Sequence, residues 1–244
     1  MYEAPGTGWP DHTTIRFTSR DSTELTGWFF SAALDSPRGT IIHYHGSNGN
    51  ITYTARNLLL GEGYNLFAFD YRGYGESEGT PDREGVLLDA ESAYDYVLNS
   101  DLPGVDSKSI ILFGQSMGGQ LAIQVAANAS QKPLTVISEA TYANHADHIF
   151  DKMEQLDWVS VFKWPIWLAT SNHLSADQAI GDLGSPLLLI HGTHDKSVRP
   201  YHSERLFELA PNPKDLWRVE NAGHLTIFKN SPHREIYAPH SSPT

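Results

Sequence analysis

A serine flanked by glycines sits near the middle of this chain, in Gly114-Gln115-Ser116-Met117-Gly118. An apolar run, Ile110 to Phe113, leads into it, and a helix-like run, Gln120 to Ala129, follows. A serine at such a strand-to-helix turn is held in a strained, exposed position, and the glycines let the two elements pass without a side-chain clash. Ser116 therefore reads as a nucleophile. Acyl transfer through serine also needs a base to take the hydroxyl proton, an acid to orient that base, and donors for the oxyanion. Asp195, closing His191-Gly192-Thr193-His194-Asp195, and His224, closing Glu220-Asn221-Ala222-Gly223-His224, supply the acid and the base. Each follows an apolar run, Leu187 to Ile190 and Leu216 to Val219, and so falls where open α/β sheets place ligand-facing residues.

The elements that must position these side chains follow from periodicity. Thr14 to Thr18 and Leu25 to Ala32, joined by Ser19-Arg20-Asp21-Ser22-Thr23, predict an antiparallel hairpin at a sheet edge. Thr40 to His45, Asn65 to Asp70, Ile110 to Phe113, Leu134 to Ser138 and the two later runs read as strands between helical stretches at Thr52 to Gly61, Asp82 to Leu98, Gln120 to Ala129 and Ser203 to Leu209. Apolar strands between helices call for a parallel sheet covered on both faces. Leu87, Ala90, Tyr94 and Val97 recur at steps of three and four and mark the covering face of one helix. The expected class is α/β, with an eight-stranded, mostly parallel sheet, an antiparallel start and helices on both faces. Thr141 to Gly184 carries no strand pattern and reads as a small helical cap inserted in a single domain spanning 1–244. Its Trp158, Phe162 and Trp164 are candidates for lining a substrate pocket, with packing of the cap onto the sheet as the competing role. Asn230 to Tyr237 is the only stretch after His224 suited to a closing helix.

Composition narrows the function classes. The chain has 244 residues and a formal net charge of -12, which argues against nucleic acid or an anionic membrane surface as partner. The absence of cysteine excludes disulfides, thiol catalysis and cysteine-ligated zinc. No window approaches the ~18 apolar residues of a membrane span, and Met1 to His12 has no signal-peptide pattern. The expectation is a soluble protein, cytoplasmic by default, or exported or anchored if an N-terminal segment has been removed. His191 and His194 flank Asp195 without a helical register that would converge metal ligands, and His145, Asp147 and His148 read as a polar helix face. No metal and no cofactor are expected. His45 is read as shaping its loop, Ser77 as a turn residue, and Arg72 as bracing its loop or pairing with an acid near the site.

The chain order Ser116, Asp195, His224 is that of the α/β-hydrolase architecture, and the chain resembles that superfamily over nearly its whole length. His45-Gly46-Ser47-Asn48-Gly49-Asn50 and Asp70-Tyr71-Arg72-Gly73-Tyr74-Gly75-Glu76-Ser77, with the serine turn and the Asp195 and His224 loops, carry the likeness. They are most similar to small serine hydrolases of the serine aminopeptidase-like or prolyl-oligopeptidase-like branch. The resemblance implies an oxyanion hole formed by the backbone N–H groups of Ser47 and Met117, and hydrolysis of a small-molecule ester, thioester or amide; it also offers Glu139, at the end of the sixth strand where some relatives carry the acid, as the alternative to Asp195, which is preferred for the better motif match around it. The leading expectation is a carboxylic ester or thioester cleaved through an acyl-enzyme, with activity rising with pH as the histidine base loses its proton. An aminopeptidase-like amide hydrolase, with Asp147, Asp151, Glu154 or Asp157 anchoring a substrate amine, is the second reading. A catalytically silent ligand-binding protein on the same fold is the third.

Overall fold

Ile15 and Phe17 are buried while their neighbours in the first strand are exposed, the alternation of a strand with one face on the core. The protein is described by a computed structural model covering residues 11–52, 63–154 and 174–226. That first strand, β1 (Thr13–Thr18), pairs antiparallel with β2 (Glu24–Phe30), which pairs antiparallel with β4 (Asn65–Phe69). From there the pairing is parallel, through β3 (Thr40–Tyr44), β5 (Ile110–Gln115), β6 (Thr135–Glu139), β7 (Leu187–Gly192) and β8 (Lys214–Val219). The eight-stranded order is β1-β2-β4-β3-β5-β6-β7-β8, the mostly parallel sheet with an antiparallel start that the strand pattern called for. β3, β4 and β5 are buried almost throughout, which is why they read as apolar runs. β2 ends at Phe30 rather than Ala32, because the Ala32 N–H leaves the ladder for Asn65 Oδ1 at 2.9 Å.

Helices cover the strands where capping chemistry allows them to start. In α1 (Arg83–Leu98) the Asp82 carboxylate accepts the Gly85 N–H at 2.8 Å, and Val86, Leu87, Ala90, Tyr94 and Val97 are buried. α2 (Met117–Asn128) begins straight off β5 and buries Leu121, Ile123 and Val125. α3 (His145–Glu154) starts where Asn144 Oδ1 accepts the Asp147 N–H at 2.8 Å. A short α4 (Ala176–Ala179) runs into a 3-10 turn at Ile180–Asp182, and α5 (Tyr201–Leu209) precedes β8. Of the stretch expected to form a cap, only its two ends, 141–154 and 174–184, fall within the described residues; the expected helices at 52–61 and 230–237 lie mostly or wholly outside them. Among the described residues no helix is long and apolar enough to cross a membrane.

Arg72 braces its loop. Its Nε and Nη2 bond both carboxylate oxygens of Asp89 at 3.0 and 2.8 Å, its backbone N–H adds a 2.8 Å bond to Asp89 Oδ2, and Asp21 takes Nη1 at 2.8 Å. Asp89 lies on α1 and is fully buried, so the pair ties the loop after β4 to the helix above it. Removing one member of such a pair strands the other charge in the interior. Arg72→Met should therefore lower the urea-unfolding free energy by about 3–5 kcal/mol, with Asp89→Leu on top recovering most of that. A loss under ~1 kcal/mol would mean that water takes the place of the guanidinium.

Candidate active site

The nucleophile turn is made by backbone contacts that exclude side chains. Ser116 has φ 54° and ψ -116°, a left-handed conformation costly for a residue with a Cβ. Its N–H donates to Glu139 O at 2.9 Å, and its carbonyl accepts from Gly119 N at 3.1 Å and Thr141 Oγ1 at 3.1 Å. A Cβ on Gly114 would stand 2.2 Å from Gly118 O, one on Gly118 1.9 Å from Tyr44 O, and one on Gly119 1.8 Å from Thr141 Oγ1. The glycines are thus required by the close approach of β3, β5, β6 and α2. Gly46, after β3, sits against the serine: its own Cβ would be 3.4 Å from Ser116 Cβ. Ser47 is the next residue on that loop and is exposed. Met117 opens α2, where the first N–H groups have no intrahelical acceptor.

Asp195 and His224 are brought together by the loops after β7 and β8. His194 N–H donates to Ala222 O at 2.9 Å, Thr193 N–H to Val219 O at 3.0 Å, and Asn221 N–H to Thr193 Oγ1 at 3.0 Å. A Cβ on Gly192 would lie 2.3 Å from Ala222 O, so the two loops also need that glycine to meet. His224 Nδ1 lies 2.8 Å from Asp195 Oδ2, while Asp195 Oδ1 accepts the N–H groups of Ser197 and Val198 at 2.8 and 2.9 Å. Burial alone would raise the Asp195 carboxyl, but hydrogen bonds from His191, His224 and Val198 outweigh it and hold the group well below the usual carboxylate range. An ionised Asp195 only accepts, so His224 Nδ1 is the donor in this contact, which in the neutral imidazole leaves the lone pair on Nε2. Ser116 stands at the same carboxyl edge of the sheet, with β6 and β7 between its strand and β8. Among the described residues, no hydrogen bond joins it to His224.

The remaining sequence candidates divide cleanly. His45 is buried, donates Nδ1–H to Gly46 O at 2.8 Å and so shapes the loop over Ser116; burial lowers its pKa to about 4. His191 is also structural: Nε2 lies 2.9 Å from Val198 O, a carbonyl that can only accept, and Nδ1 2.6 Å from Ser203 Oγ. Ser77 bridges elements, donating to Asp70 O at 2.7 Å and accepting Thr26 N–H at 2.9 Å. The acids expected to anchor a substrate amine are already engaged: Asp147 by Arg205 at 3.0 Å, Asp151 by Arg199 at 3.0 Å, and Glu154 by Arg199 at 2.9 Å. Trp158, Phe162, Trp164 and Asp157 lie outside the described residues.

Sequence reasoning did not assign the buried polar layer beneath the turn. His43 Nε2 lies 3.1 Å from Gln115 Oε1, and Gln115 Nε2 donates to Glu139 Oε2 at 2.6 Å. Polar residues at the ends of apolar strand runs were the available signal. Glu139 is fully buried, and burial first, with the Asp195 charge adding to it and the Gln115 bond opposing, raises its carboxyl to about 7. The folded protein holds that proton more tightly than the unfolded chain. Its stabilising contribution is therefore complete below about pH 4.5 and is lost as the pH rises through about 7. Glu139→Gln should leave stability near pH 4.5 little changed and make the variant relatively more stable at pH 8 by on the order of 3 kcal/mol, read as urea midpoints at the two pH values. Parallel midpoint curves for the two proteins would show that Glu139 does not titrate in this window.

Comparison with known proteins agrees with this architecture. The family model described as serine aminopeptidase, S33 matches residues 35–180, and a model described as alpha/beta hydrolase fold matches residues 161–231. The uncharacterized protein YfhR of Escherichia coli K12 is 33% identical over 230 residues, covering 92% of this chain and 77% of that protein. The alpha/beta hydrolase domain-containing protein WAV2 of Arabidopsis thaliana is 28% identical over 205 residues, 80% of this chain and 66% of that one. Among solved structures, a Pyrococcus furiosus esterase matches with TM-score 0.71 at 22% identity, covering 93% of this chain and 92% of the other. The acylaminoacyl peptidase of Pyrococcus horikoshii matches with TM-score 0.72 at 21% identity, over 93% of this chain and 39% of the other. The chain belongs to the serine aminopeptidase S33 family and is an α/β hydrolase.

Proposed function

We propose that the protein is a serine hydrolase that cleaves a carboxylic ester or thioester through an acyl-enzyme. The observation that carries this reading is Ser116 held at φ 54° between glycines that nothing larger could replace, an arrangement whose cost is maintained when the hydroxyl must be presented to a substrate. In the proposed cycle His224 Nε2 takes the Ser116 hydroxyl proton as Oγ attacks the carbonyl carbon. The N–H groups of Ser47 and Met117 receive the oxyanion, and Asp195 holds the imidazole tautomer and offsets its charge. His224 then returns the proton to the leaving alcohol or thiol, and water releases the acyl group by the same steps in reverse order.

The family description invites an aminopeptidase reading. Release of an N-terminal residue needs a carboxylate for the substrate's ammonium, yet Asp147, Asp151 and Glu154 are each paired with arginine, which favours the ester. A silent binding protein would have no use for a buried carboxylate holding the tautomer of His224 at 2.8 Å. The wild-type protein should react with a fluorophosphonate probe and hydrolyse p-nitrophenyl esters faster than aminoacyl p-nitroanilides. Ser116→Ala should abolish labelling, and Asp195→Asn should lower kcat on the ester by roughly 10³–10⁴ with KM little changed. A wild-type protein inert to the probe, or an Asp195→Asn variant of unchanged kcat, would overturn the assignment.

A further inference from the structure

Gln120 and Gln124 occupy successive turns of α2 on its buried side, each 2% exposed, where helix packing ordinarily calls for apolar residues. Gln124 Nε2 donates to Gln120 O at 3.4 Å and to Gln120 Oε1 at 3.2 Å. A backbone carbonyl can only accept, so the Gln124 atom facing it is the nitrogen, and the Gln120 atom facing that nitrogen is the oxygen. The orientation of both amides is thereby set, and Gln120 Nε2 is left buried with no hydrogen-bond partner. An unmet buried donor is costly, and each instance requires a reason.

Both glutamines line a cavity of about 340 Å³ between the start of α1 and the start of α2, large enough for part of a small substrate. Met117, the residue after the nucleophile, forms part of its wall, as do Arg83 and His145. His145 Nε2, a ring nitrogen in the same wall, is likewise buried without a hydrogen-bond partner. Burial, and then the charge of nearby Arg83, push the His145 pKa down to about 4, so the neutral imidazole shares the lining with two groups of opposite charge, Arg83 and Asp82. Among the described residues, none of the lining comes from the loops after β7 and β8. In the proposed cycle the leaving group takes its proton from His224, on the β8 loop, and so stands on that side of Ser116. The cavity draws its described walls instead from α1, α2 and the residues around Tyr74, Tyr142 and Leu174, which leaves it to the acyl part.

The geometry points to an acyl-side subsite in which Gln120 Nε2 donates to an oxygen acceptor, a carbonyl or carboxylate, carried on the substrate's acyl chain. The inference rests on the ester-hydrolase reading and narrows its substrate class from plain alkyl esters to oxygenated acyl groups. It makes Gln120 a specificity residue that takes no part in the bond-making steps.

Three p-nitrophenyl esters, corrected for spontaneous hydrolysis, test it: the pentanoate, the 4-oxopentanoate and the hemiglutarate. The wild-type kcat/KM should favour at least one of the two acceptor-bearing esters over the pentanoate by about 10-fold, the range of one hydrogen bond to a neutral or charged partner. Gln120→Leu should erase that preference, lowering kcat/KM for the favoured acceptor ester about 10-fold relative to kcat/KM for the pentanoate. Gln120→Glu, nearly isosteric and so a check against misfolding of the leucine variant, should cut the hemiglutarate most, because carboxylate would then face carboxylate. Arg83→Met should weaken only the hemiglutarate if the natural acceptor is anionic, and spare both acceptor esters if it is neutral; either pattern supports the subsite. Equal wild-type rates on all three esters, or a Gln120→Leu variant that slows all three alike, would overturn the subsite and leave the hydrolase reading standing. Failure to cleave any of them, with no fluorophosphonate labelling, would overturn both.

Discussion

The first turn of α2 is pressed onto the end of β3 so closely that no side chain fits between them: a Cβ at Gly118 would stand 1.9 Å from Tyr44 O and 2.7 Å from His45 O. The rest of this sheet edge depends on this contact. It brings the loop carrying Gly46 and Ser47 against Ser116 and sets the start of α2 beside it, so the N–H groups proposed to receive an oxyanion lie on one seam. It also explains why Ser116 tolerates φ 54°. The bonds from its N–H to β6 and from Thr141 and Gly119 to its carbonyl over-determine a conformation that an isolated turn would relax.

Three buried carboxyls show how hydrogen bonding decides charge at this edge. Asp195 receives two backbone N–H groups and an imidazole and stays ionised despite its burial. Glu139 is buried with a single side-chain donor, Gln115, and burial prevails, raising it to about 7. Asp70, beneath the His45 loop, is likewise raised to about 7 by burial against the opposing backbone N–H groups of Ile51 and Glu76. Donor count and solvent access, rather than carboxylate identity, separate the group suited to orienting an imidazole from those that hold a proton. Glu139, the rival acid on sequence grounds, differs from Asp195 in just this respect: its backbone carbonyl supports Ser116 while its side chain turns into the layer with Gln115 and His43.

The charged residues of α3 illustrate the same economy on the outside. Asp147, Asp151 and Glu154 look from the sequence like an acidic patch open to a cationic ligand. Arg199, before α5, and Arg205, on it, reach across and occupy them, so the patch becomes a seam between two helices. Arg72 and Asp89 do the same between the β4 loop and α1. Pairings across such sequence distances have no local signature, because either partner alone reads as an ordinary solvated charge.

The strand count, the antiparallel start, the parallel remainder and the serine turn were legible in the amino-acid order, because each rests on short-range rules: periodicity, turn chemistry and glycine where backbones must approach. Ser116 and the strand-end placement of Asp195 and His224 needed only those rules and the topology they imply. Tertiary structure alone decided that β4 lies between β2 and β3, that His224 Nδ1 meets Asp195 Oδ2, and that His191 serves the loop after β7. It also decided that Gln120 turns an unmatched donor into the interior beside a cavity. These outcomes depend on which distant groups compete for the same hydrogen bonds once water is removed, and that competition does not exist until the chain has folded.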